Sequence, residues 1–327
     1  MKLYVTGNGF DLHHGLKTSY FSFGYFLRNH HTELYELLIN FLSFTDLPKY
    51  PDQLDTNEHP LWSEFEKSLA GLDSQYVLDS FIEYLPNISD PDFRDRDWNS
   101  FEIEMERILE QLTEVLLDKF RNFISQVEYP LLAMNKKLQL CEKSFFINFN
   151  YTNTLEYYYN IDSSRILYLH GIATIPDIPL VLGHGIDPEN FIELPKEPPS
   201  GANNEELQQW FQQQADNYNI SYENGKNKLN NYFTYSFKNT AEVISESICF
   251  FTKLKFVSEI VIIGHSLSDV DMPYFSAIKE YVHPDCKWTA TYYLKKEKEH
   301  HWHKLKNLGI QHPIIVEMNS LLIKQAQ

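Results

Sequence analysis

Four short polar segments of this chain each follow directly on an apolar, β-prone run: Gly7-Asn8-Gly9-Phe10-Asp11 after LYV, Asn148-Phe149-Asn150-Tyr151-Thr152 after SFFI, His170-Gly171 after ILYL, and Gly264-His265-Ser266-Leu267-Ser268-Asp269-Val270-Asp271 after EIVII. The first has the most direct chemical meaning. A glycine turn lets backbone approach a ligand with no Cβ in the way, and a helix starting there points unpaired N–H groups and its positive end at the same spot, so a phosphate or pyrophosphate is the natural guest. A strand–GxG–helix unit alone also occurs where nothing binds, so the weight comes from the other three loops. If the runs are parallel strands of one sheet, all four polar corners leave it at one rim, where open α/β sheets take their ligands.

The elements that must position these corners follow from periodicity. Short runs at 144–149, 166–169, 180–182, 259–263, 288–294 and 314–316 predict buried strands, and helical material between them predicts a mostly parallel sheet covered on both faces. Apolar residues from Phe101 through Met105, Ile108, Leu112, Leu116 and Phe123 to Val127 recur every three or four positions and predict one long amphipathic helix ended by Pro130. Shorter helices are expected at 62–69 and 77–85. The fold expected is α/β, a single domain over 1–327, with a helical insertion at 20–140 and a second, loop-plus-helix insertion at 186–255. The acidic loop around Asp90, Asp92 and Asp97 lacks an ordered metal-ligand spacing.

Composition narrows the classes. A formal net charge of −17 opposes gripping nucleic acid by counterion release and binding anionic membrane surfaces. Hydrophobic residues at 43% exclude global disorder. Cys141, Cys249 and Cys286 are too scattered for a disulfide framework or a zinc module and are expected as buried free thiols. No signal peptide and no apolar stretch near the ~20 residues of a membrane span is visible, so a cytoplasmic location is expected.

The strings LYVTGNGFDLHHGLKTSY, WSEFEKSL, FINFNYTNTLE, LYLHG and IVIIGHSLSDVDMPYF, in that order, resemble the AbiH family of bacterial abortive-infection proteins. That family is more remotely similar to sirtuin-like NAD-binding domains of Rossmann type. The resemblance implies an anti-phage role and NAD as substrate or ligand, with no metal. Gly7, Asn8 and Gly9, together with Phe10, would form the pyrophosphate turn, and Asn150 would lie near the nicotinamide ribose. His170 would act as the base engaging the ribose hydroxyls, and Gly264, His265 and Ser266 would hold the adenosine half. Thr152 stands where many sirtuin-like relatives carry aspartate. Breaking the nicotinamide–ribose bond builds positive charge on the ribose, so orientation in a water-poor site counts for more than a strong nucleophile. A histidine can take a proton from water or a hydroxyl, and an amide can position water without adding charge.

Structural alternatives stand beside these roles. Asp11 could touch ribose or cap the helix that begins there. Asn148 and Asn150 could form Asx turns, and His265 could bond locally. Asp269 and Asp271 could serve the start of the next helix, with Asp271 also a candidate for the adenine ribose. Leu182-Gly183-His184-Gly185 could shape the pocket, whereas His300, His301 and His303 read as a solvated helix face. The leading functional expectation is an NAD glycohydrolase; a non-catalytic nucleotide-sensing module signalling to a partner is the alternative. A phage-derived activator, a partner defence protein and self-association are left open. A sirtuin-type deacylase is disfavoured because three scattered cysteines cannot build its four-cysteine zinc module.

Overall fold

The computed structural model describes residues 1–323. Six parallel strands form one sheet: β1 (Lys2–Thr6), β2 (Phe145–Asn148), β3 (Ile166–Tyr168), β4 (Glu259–Ile263), β5 (Lys287–Tyr292) and β6 (Ile314–Glu317). Their spatial order is β3-β2-β1-β4-β5-β6, the doubly wound α/β order. The chain works outward from β1 to β3, then returns to the other side of β1 with β4. The strand order therefore reverses between β1 and β4, and the crevice outside their carboxyl ends is where such sheets bind ligands. Register is tight there, with Val5 opposite both Ile147 and Ile262.

Both faces of the sheet are buried, as the continuous apolar runs require. Leu3, Val5, Ile147, Ile260 and Ile262 pack on one side with Phe251, Phe275 and Ile278. Tyr4, Phe146, Val261 and Ile263 alternate to the other side with Phe10 and Leu155. The helical stretch between β1 and β2 builds a third core of its own, centred on Phe23, Trp62, Phe65, Phe101 and Phe120. That core also takes in Leu229, Tyr232 and Phe233 from the segment before β4, so material from both interruptions of the sheet packs together.

Three local expectations are corrected. Residues 180–182 form no strand; Leu180 is drawn into the helical core instead. The long helix is broken into Ser100–Glu110, a π-helical turn Gln111–Val115 and Leu116–Ser125. Only Cys286 of the three thiols is buried, Cys141 and Cys249 being exposed. Among the described residues no helix is long and apolar enough to cross a membrane.

Candidate functional site

The loops after β1 and β4 are interlocked by three glycines. A Cβ on Gly7 would lie 2.7 Å from His265 Cα, one on Gly9 2.8 Å from Gly264 Cα, and one on Gly264 2.3 Å from the Phe10 nitrogen. The Gly9 N–H donates to Gly264 O at 2.7 Å, and the Phe10 N–H to Gly7 O at 2.8 Å. The space left by the missing side chains is thus filled by the neighbouring loop. With the Gly7 N–H donating to Ile263 O at 3.1 Å, three of the turn's amides are already committed, so a phosphate there would draw on the Asn8 side of the turn. Asn8 itself accepts the Thr18 hydroxyl at 2.6 Å. Phe10 turns into the core against His14 and Tyr159 and does not line the cavity described below.

The loop after β2 is built around Asn148. Its Oδ1 accepts the Thr6 hydroxyl at 2.8 Å and the Asn150 N–H at 3.1 Å, so the Asx turn belongs to Asn148. Asn150 instead donates through Nδ2 to Gly7 O at 3.1 Å, tying the second loop to the first. Thr152 donates to Asp11 Oδ2 at 2.6 Å. Asp11 is 1% exposed and caps nothing: the helix Asn8–His13 has Gly7 at its N-cap with no side-chain bond. Among the described residues the other oxygen of Asp11, Oδ1, has no partner. Burial pushes this carboxyl up from 3.8 to about 6, against the pull of the Thr152, Thr154 and Asn150 side chains.

That shift has a thermodynamic consequence. Between about pH 4 and 6 the native state binds more protons than the unfolded chain at this position, so Asp11's contribution to stability falls as pH rises through that window and stays low above it. Asp11→Asn should therefore stabilise the protein by about 1–3 kcal/mol at pH 7.5 and by little at pH 4, read from urea unfolding at both values.

Two histidines and a buried ion network complete the site. Phe149 O can only accept, so His170 Nδ1, 3.0 Å away, carries the proton. The buried Nε2 lone pair has no hydrogen-bond partner among the described residues. Burial first, then the charge of Lys238, hold His170 well below its ordinary pKa. His265 has the opposite tautomer: its Nδ1 accepts the Leu267 N–H at 2.9 Å, and burial first, then Lys238, bring it down to about 3. Both imidazoles face one carboxylate, with His170 Nε2 3.6 Å from Asp271 Oδ1 and His265 Nε2 3.5 Å from Asp271 Oδ2. Asp271 makes no cap bond to the helix behind it; it pairs with Lys238 Nζ at 2.8 Å. Lys238 in turn reaches Glu66 at 2.5 Å, and Glu66 accepts the Tyr20 hydroxyl at 2.6 Å. Burial alone would discharge Lys238, but the carboxylates of Asp271 and Glu66 outweigh it and keep the ammonium charged. Asp269 points away and pairs with Lys304.

The four polar loops border one cavity of about 790 Å³, within the range of small-molecule sites. Gly7, Asn8, Gly9, Asp11, Asn150, Thr152, His170, Gly264, His265, Ser266 and Asp271 all line it. Glu66 does too, though sequence reasoning assigned it no role despite the motif WSEFEKSL around it. Lys238 gave no signal, being an isolated lysine far from every motif. His301, expected on a solvated face, is 4% exposed and lines the cavity. His184 lies outside it: its backbone pairs with Ser236 and Lys238, which anchors the segment that delivers Lys238.

The sheet order and the cavity stand on their own geometry, since no curated protein and no solved structure matches the chain. One family does, and its match runs from the first strand to the end of β5. The chain belongs to the AbiH family, described as bacteriophage abortive infection AbiH, whose model matches residues 3–292.

Proposed function

We propose that this abortive-infection protein binds NAD in the cavity at the strand-order reversal and hydrolyses it to nicotinamide and ADP-ribose. On this reading infection triggers depletion of the cell's NAD. One observation carries the reading: His170 and Asp11, whose buried Nε2 and Oδ1 have no hydrogen-bond partner among the described residues, line the same cavity. Buried polar atoms are normally satisfied, and an unmet acceptor in a ligand-sized space marks what a ligand must donate.

The chemistry suits that pair. As the bond between ring nitrogen and ribose C1′ breaks, its electron pair goes to the nitrogen and positive charge develops on the ribose. A water oxygen bonds to C1′, and the proton it loses passes to the His170 Nε2 lone pair, directly or through a ribose hydroxyl. Asn150, held by Gly7 O, offers an amide to orient that water without adding charge. The carboxylates of Asp11 and Asp271 offset the developing cation in a site with little bulk water.

Purified protein should release nicotinamide and ADP-ribose from NAD, alone or once a phage-derived activator is added, as followed by chromatography. His170→Ala and Asn150→Ala should each cost at least about 100-fold in turnover with unchanged circular dichroism. Full activity in both variants would overturn the assignment of these residues. The committed amides of Gly9 and Phe10 favour a second reading, a nucleotide sensor that binds without cleaving. Saturable NAD binding with no turnover under any activator would select it.

A further inference from the structure

We propose that Asp11 is the residue that selects a cationic ring, so that the cavity takes an N-alkylpyridinium in preference to its neutral counterpart. This rests on the dinucleotide reading above for its natural ligand, NAD⁺ over NADH, though the recognition chemistry is separable from it. Each of the other acids of the cavity wall is already answered. Glu66 and Asp271 share Lys238. Glu64 pairs with Lys67 at 3.0 Å. Glu297 accepts the N–H groups of Tyr293 and Leu294 at 2.8 and 3.0 Å.

Asp11 differs from all of them. Among the described residues it forms no ion pair, its Oδ1 has no hydrogen bond, and it is almost wholly buried. Thr152 holds Oδ2, with Thr154 behind it at 2.9 Å from the Thr152 oxygen. A carboxylate stripped of water with no cation beside it is unfavourable unless something else supplies the charge. The cavity that it lines is the route by which that charge can arrive. A pyridinium ring offers a delocalised cation that sheds water readily. On cleavage the ring departs neutral while the ribose becomes the cation, so the carboxylate faces positive charge before the step and during it. The neutral dihydropyridine ring offers Asp11 nothing.

The test uses 1-methylnicotinamide as the cationic probe and nicotinamide as its neutral counterpart, by calorimetry and thermal shift at pH 7.5 on the full chain. The wild-type protein should bind the cation at least tenfold more tightly, and Asp11→Asn should bring the two within twofold. In a His170→Ala background, which prevents turnover, NAD⁺ should bind at least tenfold more tightly than NADH, and Asp11→Asn should erase that gap while leaving ADP-ribose affinity within twofold. Equal binding of the charged and neutral rings by wild type, binding of neither, or a preference that survives Asp11→Asn would overturn the proposal. Failure of the dinucleotide reading is distinct: ADP-ribose and NAD⁺ would not bind, while the small-ring comparison would still decide the role of Asp11. If Asp11→Asn does not fold, equal binding of the two rings by wild type still overturns the proposal, and Asp11→Ser supplies the comparison in its place.

Discussion

Lys238→Met should destabilise the protein by about 3–5 kcal/mol, the usual cost of removing one partner from a buried ion network. Lys238 is 1% exposed, and its ammonium answers both Glu66 and Asp271. Methionine fills much the same volume, so the loss is electrostatic rather than a cavity. Without the ammonium, two buried carboxylates face each other and one must take up a proton, adding to the upward push that burial already exerts on Glu66. The three partners come from widely separated stretches of chain, 172 residues apart in the case of Glu66 and Lys238. Their loss of attraction should loosen both helical insertions where they meet the β4 loop. Urea unfolding gives the measurement, through the midpoint at an unchanged slope. Adding Glu66→Gln should recover part of the loss, because the acid left unpaired is then gone. A loss below about 1 kcal/mol would mean that water reaches the network and that it does not act as a buried clamp.

Gly264→Ala should be similarly damaging, at about 2–5 kcal/mol, for two reasons that a control separates. The residue has φ +62°, a region that costs an alanine about 1–2 kcal/mol. Its Cβ would also stand 2.3 Å from the Phe10 nitrogen and 2.4 Å from Gly9 C, both backbone atoms that cannot swing aside. Gly201 has φ +83° with nothing within 4 Å of its ideal Cβ, so Gly201→Ala should cost only the conformational part. The difference between the two variants measures the interlock of the β1 and β4 loops. Because Gly7, Gly9 and Gly264 line the cavity, Gly264→Ala should also weaken nucleotide binding. Equal losses in the two variants would mean that the loops can part at no cost.

Much of the frame is legible in the amino-acid sequence. Each strand that flanks the cavity is a short apolar run ending in a polar corner, and such runs signal themselves locally through β-branched and aromatic residues. The exceptions had local causes as well. Residues 180–182 look like a strand by composition, yet the helical core competes for Leu180. The periodicity of the long helix is blind to one extra residue in a turn, which is how a π-helical turn interrupts it without breaking the apolar stripe. His301 was read by its charged neighbours Lys298, Glu299 and His303, whereas its burial is decided by the cavity edge on which its helix lies.

The sequence by itself determined the α/β class, the order of the polar corners and the residues that meet at the rim, since each is written in a few adjacent positions. Tertiary structure alone decided that Asp11 stands without a cation, that His170 and His265 hold opposite tautomers, and that Lys238 and Glu66 belong to the site. Those properties depend on which groups lie within a few ångströms after folding. Charge compensation and desolvation are set by distance in space, and nothing in the spacing of residues along the chain encodes them.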